Sequence, residues 1–231
     1  MSDKQIADDL AEEPDLSLLQ HFHKPDQMGL LEELFCRTMG TFGLSKEELK
    51  TNSEFNFDAY GMTGFESVRA VFRLANALSE VGFTQFAFLR GTGLADLEAM
   101  ENGHRWFIEV KTLVLQTKPP TFAAQGAEIL RVDKFQPNTN RIEEYVETVS
   151  RQITGNLIEK ARQQLIETLK KKGKAKRMVG LVVNLLAADF LDENLDQVHA
   201  RLCGKFPGWE KNYLTDLDAV VFFTGRLHLF G

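Results

Sequence analysis

Residues 94–111 read Leu94-Ala95-Asp96-Leu97-Glu98-Ala99-Met100-Glu101-Asn102-Gly103-His104-Arg105-Trp106-Phe107-Ile108-Glu109-Val110-Lys111. Asn-Gly between two strand-like runs signals a two-residue β-hairpin loop, because a type I′ turn needs two residues with positive φ. If Asn102-Gly103 is that loop, the numbers of residues paired across it share one sum. Glu101 meets His104, Met100 meets Arg105, and Asp96 falls directly opposite Glu109. Directly opposed residues have Cβ atoms about 4.5–5.5 Å apart. Lys111 is two residues beyond Glu109 and shares its face, while Ile108 and Val110 point to the other face, towards a core.

Two like charges directly opposed destabilise a hairpin. The pairing makes sense if a divalent cation sits between the carboxylates. Hard cations such as Mg²⁺ take oxygen ligands, using one or two carboxylates plus waters and phosphate oxygens. A nearby lysine stabilises developing negative charge or orients the attacking water. Glu-x-Lys by itself carries little information, since a chain of this size holds it about once by chance. The hairpin geometry is what gives it weight.

Outward from this hairpin, an upstream helix is expected from about Gly64 to Val81, with Phe65, Val68, Phe72, Ala75 and Leu78 at helical spacing and Gly82 at its C′ position. Strands are expected over Phe83–Leu89, Ala95–Met100 and Arg105–Leu115. Before the helix come a turn-rich stretch through Gly61 and Gly64 and two short helices, Leu30–Phe42 and Ser45–Thr51. The second carries a capping box, Ser45 with Glu48. Residues 116–139 hold Pro119, Pro120 and Pro137 and read as a long connection. Arg141–Lys172 is a long helical pattern with a break expected near Gly155. Met178–Leu186 is a nearly continuous apolar run, as in a strand buried on both faces. A helix over Leu191–Cys203 and a hairpin of Ala219–Phe223 with Arg226–Phe230 close the chain. The order α, β, β, β, α, β implies a mixed sheet flanked by helices, in one α/β domain over 28–231 with its core at about 64–186. Residues 1–27 read as a flexible acidic arm.

The 231 residues are 43% hydrophobic, enough for one sizeable core. No run is long and apolar enough to span a bilayer, and the acidic Met1–Asp15 segment lacks a signal pattern. Cys36 and Cys203 are too few for a disulfide framework, which points to a reducing compartment and the cytoplasm. The formal net charge of -6 disfavours a polyanion partner, but Lys160–Arg177 carries eight Lys/Arg, and distribution outweighs the sum. His21 and His23 lack further metal-ligand spacing, and no phosphate-binding glycine-rich loop is present.

The ordered set of Asp96, a hairpin, Glu109-Val110-Lys111, a long helix and a buried strand resembles the PD-(D/E)XK nuclease superfamily, over roughly Gly64–Leu186. The resemblance implies a restriction endonuclease-like core, with Asp96 and Glu109 as metal ligands and Lys111 as the catalytic lysine. It also implies an assisting glutamate on the helix before the sheet, for which Glu66 is the best match and Glu80 the rival. A favourable acid in a first helical turn is the other reading of Glu66. A polar residue on the following helix is a further family feature. Gln164 fits it, and Lys160 is four residues away on the same face. The proline that names the motif is absent, and Ala95 stands in its place.

The resulting expectation is a Mg²⁺-dependent nuclease, with Mn²⁺ a possible substitute, hydrolysing phosphodiester bonds in DNA as an endonuclease. RNA and a homodimer are left open. Lys160, Lys170, Lys171, Lys172 and Lys174 are candidates for tracking a phosphate backbone, although the last four also suit a helix C-terminus. The alternative is a catalytically inactive module that binds nucleic acid, or a partner protein through the acidic arm.

Overall fold

The computed structural model describes residues 25–53, 57–113, 139–183 and 194–230. Most of the acidic arm, the His21/His23 pair, nearly all of the proline-rich connection and the end of the expected strand beyond Val183 lie outside these residues. The described elements are α1 (Pro25–Phe42), α2 (Lys46–Asn52), α3 (Phe57–Glu80), β1 (Thr84–Phe88), β2 (Leu97–Glu101), β3 (His104–Leu113), α4 (Thr139–Gln152), α5 (Ile158–Lys172), β4 (Lys176–Val183), α6 (Leu195–Leu202), β5 (Ala219–Phe223) and β6 (Leu227–Phe230). The chain is mixed α/β, and the six strands among the described residues lie in one sheet in sequence order. β1, β2 and β3 are antiparallel neighbours; β4 and β5 run parallel to β3; β6 returns antiparallel.

The register of β2 on β3 is the one the turn requires, from Glu101↔His104 to Leu97↔Ile108. Asn102 (φ 49) and Gly103 (φ 77) both take left-handed backbone, as a type I′ loop demands. The last hairpin joins the same sheet, with Phe223 opposite Leu227. It extends the sheet beyond the core expected at about 64–186.

Both faces are covered, and side-chain alternation along β3 sorts the two sides. Ile108 and Val110 join Met178, Val182 and Val221 beneath Ala70, Leu74 and Leu78 of α3. Phe107, Leu113, Val179, Leu181 and Phe222 face α4, α5 and α6, where Val146, Val149, Ala161, Leu165 and Val198 are buried against them. α1 leans on α3 through a Phe35–Phe72 edge contact at 5.2 Å. Buried Asn76 of α3 donates to Thr38 Oγ1 (3.0 Å) and accepts from Thr41 Oγ1 (2.7 Å). Among the described residues no helix is long and apolar enough to cross a membrane, and Cys36 and Cys203 are not joined in a disulfide.

Several local expectations shift. α1 begins at Pro25, inside the expected arm, since proline's fixed φ and missing N–H suit a first helical turn. α3 begins at Phe57 and runs through Gly61 and Gly64, so those glycines mark no turn. The cost of a helical glycine, about 1 kcal/mol, is small enough for context to override. Glu66 therefore lies ten residues into the helix, too far for a first-turn interaction with its dipole. α3 does end as expected, with Gly82 at φ 102 and Phe83 N–H donating to Leu78 O. The capping box at Ser45 and Glu48 is present. At Gly155 the helix does not break. Ile153–Leu157 forms one π-helical turn, with Ile158 N–H donating to Ile153 O, five residues back.

α3 approaches the sheet closely at one point. A Cβ added to Gly180 of β4 would lie 2.1 Å from Leu74 Cδ2, and Leu74 is itself fully buried, so it has nowhere to turn. Gly180→Ala is expected to lower stability by about 1–3 kcal/mol through overpacking. In a double-mutant cycle by urea unfolding, Leu74→Ala and Gly180→Ala are expected to cost less together than the sum of the two single changes.

Candidate active site

β3 is central, between β2 and β4, and its odd-numbered side chains face α5. Glu109 and Lys111 both point there. Lys111 Nζ meets Glu109 Oε1 in an ion pair and donates to Gln164 Oε1 on α5 at 2.7 Å. Glu109 is only 1% exposed and Lys111 19%. The expected charged patch is thus largely buried, because α5 packs over the face that carries it.

Asp96 sits one residue before β2, where the hairpin register continues to Glu109. Its Oδ2 accepts from Val110 N–H at 2.7 Å, which fixes one oxygen of the carboxylate on the β3 backbone. The loop leading to Asp96 is held by α5. Gln164 Nε2 donates to Leu94 O (3.3 Å), and one turn later Thr168 Oγ1 accepts from Ala95 N–H (2.7 Å). Thr168 also donates to Gln164 O (2.7 Å), so a single helix face sets Lys111, Gln164 and the approach to Asp96. Sequence reasoning missed Thr168. The available signal was a hydroxyl on the buried stripe, between Leu165 and Leu169 and one turn beyond Gln164.

Burial dominates the electrostatics. Desolvation pushes the Asp96 carboxyl up to about 6, against the Val110 N–H and the Lys111 charge. The Glu109 carboxyl rises to about 8, first through burial and then through the Asp96 charge, with Lys111 opposing. Glu109 Oε2 is buried and has no hydrogen-bond partner among the described residues. An orphaned carboxylate oxygen opposite a second carboxylate fits a hard cation. The described residues contain no group of three or more candidate ligands. A cation here would draw two carboxylates from the chain and complete its shell with water and substrate oxygens.

The other candidates separate. Glu66 belongs to α3, the helix that covers the sheet face opposite Glu109; its side chain lies outside the described residues. Glu80 pairs with Arg37 of α1. It lies near β1 Thr84, which is opposite Met100, at the hairpin end of the sheet and away from Glu109. Lys160 is exposed on α5, one turn before Gln164. Lys170 pairs with Glu167 at 2.6 Å, and Lys171 Nζ donates to Thr92 O at 3.2 Å. Lys172 and Lys174 are exposed beyond them. These four lie at the hairpin end, since Lys172 O accepts from Arg105 Nη1.

The raised carboxyl values have a thermodynamic consequence. In the metal-free folded chain Glu109 keeps a proton that the unfolded chain releases above its ordinary value of 4.5. Stability therefore falls as pH rises from about 4.5 to 8, by at most about 1.4 kcal/mol per pH unit for this one proton. Urea unfolding in EDTA is expected to show Glu109→Gln less stable relative to wild type at pH 5 than at pH 8, where the variant gains. Mg²⁺ is expected to narrow that gap at pH 8 by stabilising only the wild type. The chain matches no protein-family model, no curated protein and no solved structure.

Proposed function

We propose that this protein is a Mg²⁺-dependent nuclease that hydrolyses phosphodiester bonds in DNA, built on a restriction endonuclease-like core. The observation that carries the reading is the opposition of half-buried Asp96 and buried Glu109, with an unpartnered Glu109 oxygen and a lysine held beside them by Gln164. A structural pair at that position would be apolar or opposite in sign. The order of α3, three antiparallel strands, a crossover through α4 and α5, and parallel β4 accords with the PD-(D/E)XK resemblance.

Asp96 and Glu109 would hold the cation, which would supply Lewis-acid polarisation of the phosphoryl group and acidify the attacking water. In the reaction, water oxygen bonds to phosphorus, the bond from phosphorus to one ester oxygen breaks, and that oxygen leaves as a hydroxyl with the proton shed by water. The other product is a phosphate monoester. Lys111 contributes fixed positive charge where the phosphoryl oxygens become more negative, at a point set by the Gln164 Oε1 bond. Gln164 and Thr168 act as positioning residues, holding Lys111 and the Leu94–Asp96 segment from one helix. Packing of α5 over the site excludes bulk water and strengthens each of these charge interactions.

Supercoiled plasmid is expected to be nicked with Mg²⁺ or Mn²⁺ and left intact in EDTA. Lys111→Ala and Asp96→Asn should each lower the rate at least about 100-fold. Calorimetric Mn²⁺ binding should be lost in Asp96→Asn and kept in Lys111→Ala. Absence of both cleavage and metal binding in the wild type, with Asp96→Ala raising stability, would sink the reading.

Thr168 offers a finer check. Thr168→Val leaves the Ala95 N–H unpaired and should cost about 1–3 kcal/mol of stability. It should also slow cleavage while leaving KM nearly unchanged, and Thr168→Ser, which restores the hydroxyl, should recover most of the rate.

A further inference from the structure

The last turn of α5 is gripped from the sheet by an arginine. Arg105 Nη1 donates to Lys172 O at 2.8 Å, a carbonyl in the final helical turn, where intrahelical partners run out and a cation complements the dipole. The guanidinium is itself fixed. Its Nε and Nη2 donate to the two carboxylate oxygens of Glu98, each at 2.7 Å, and its Cζ lies 4.7 Å from the Phe107 ring centre. The hairpin register produces this pair. Met100 is opposite Arg105 and Glu98 is opposite Phe107, so Glu98 and Arg105 are diagonal neighbours on one face, within reach of long side chains. The two side chains are 33% and 25% exposed for Arg105 and Glu98, and a two-pronged arginine–carboxylate contact imposes a direction that a single surface ion pair does not.

Arg105 shares its face of β3 with Glu109 and Lys111, so α5 is bonded to that face at two stations. At one, Gln164 accepts from Lys111 Nζ and Thr168 accepts from Ala95 N–H. At the other, eight residues beyond Gln164 and about 12 Å along the helix, Lys172 O accepts from Arg105. Between them Lys171 adds one exposed bond, to Thr92 O at 3.2 Å. Apolar packing is non-directional and holds α5 against the sheet. The bonds at its two stations set how far along β3 the helix sits and how it tilts. Arg105 itself is four residues from Glu109, about 13 Å along the strand, too far to touch the reacting atoms. We infer that Arg105 is a positioning residue: by holding the last turn of α5 it fixes where Gln164 and Thr168 stand, and through them Lys111 and the approach to Asp96. The inference rests on the nuclease reading of Asp96, Glu109 and Lys111. It gives the Glu98–Arg105 pair a role in the rate as well as in the fold.

The test combines steady-state DNA cleavage by the full chain in Mg²⁺ with urea unfolding and calorimetric Mn²⁺ binding. Arg105→Met should lower kcat about ten- to a hundred-fold, the scale of a misplacement of about 1 Å, with KM within about two-fold of wild type. Mn²⁺ affinity should fall about three-fold, less than the roughly ten-fold that follows loss of a residue bonded directly to a metal ligand. Arg105→Lys keeps the charge but reaches one partner at a time. It should unfold cooperatively near the wild-type urea midpoint and still lose kcat, which separates position from folding. In a Gln164→Ala background Arg105→Met should lower kcat little further, while its shift in urea midpoint persists. Arg177→Met, which breaks the pair with Asp218 at the same end of the sheet, should change the midpoint and leave kcat alone. Wild-type kcat in both Arg105 variants, or a full multiplicative loss on top of Gln164→Ala, would overturn the positioning role and leave the nuclease reading standing. A wild type that neither cleaves DNA nor binds Mn²⁺ would overturn both.

Discussion

The left-handed pair Asn102 and Gly103 governs more of this molecule than any contact made by the charged residues themselves. A two-residue loop allows one register, and a slip of one residue would carry Glu109 and Lys111 to the α3 face, among Ile108 and Val110. Attraction between the site's two carboxyl groups could not prevent that slip, because the opposed Asp96 disfavours the ionised form of Glu109. The register is held by the turn and by apolar side chains sorted onto their proper faces, Phe107 on one side and Ile108 on the other. α5 then depends on the register in turn. Gln164 reaches Lys111, and Thr168 reaches Ala95 N–H, only if β3 presents its odd-numbered face.

The site is a place where the fold gives up stability that its surroundings supply. Glu109 lies on the central strand of a six-stranded sheet with buried apolar side chains above and below. Burial and the opposed Asp96 both disfavour its ionised form, and Lys111 offsets only part of that. Two carboxyl groups opposed at a mostly buried position breach the usual rules of pairing, and such a breach is where function is expected. Asp96 shows the same logic on a smaller scale. It stands outside the β2 ladder, yet its carboxylate takes up the Val110 N–H, so the backbone there is satisfied by one of the proposed metal-binding carboxylates.

Much of this was legible in the residues. The pairing of 96 with 109, the shared face of 109 and 111, the helix bearing Gln164 and the buried run of β4 all follow from turn length and side-chain periodicity, which are local. The enclosure of Glu109 was not legible. It depends on α5 packing over β3, a relation between segments some fifty residues apart in sequence, and nothing near Glu109 signals it. Thr168 escaped for a related reason: a threonine inside a helix is locally neutral and gains its role only from Ala95 opposite. At the helix starts the local signals misled. Gly61 and Gly64 read as turn residues but lie within α3, and Pro25 reads as a loose arm but opens α1.

The π-helical turn at Ile153–Leu157 bears on how the α4–α5 rod is phased. Along α4 and into the π turn, Val146, Val149, Ser150 and Ile153 are buried. Uninterrupted α-helical periodicity would carry that stripe on to 157, 160 and 164, turning Lys160 and Gln164 into the core. The extra residue of the π turn advances the stripe by one, and Ile158, Ala161, Leu165 and Thr168 are the residues buried instead. Gln164 is left at the margin of the stripe, where a polar side chain can reach Lys111 without being entombed. The turn thus works as a phase shifter between two lengths of rod. The reading frame of the helix surface changes once, in the turn that holds Gly155, and the contacts of Gln164 and Thr168 belong to the second frame.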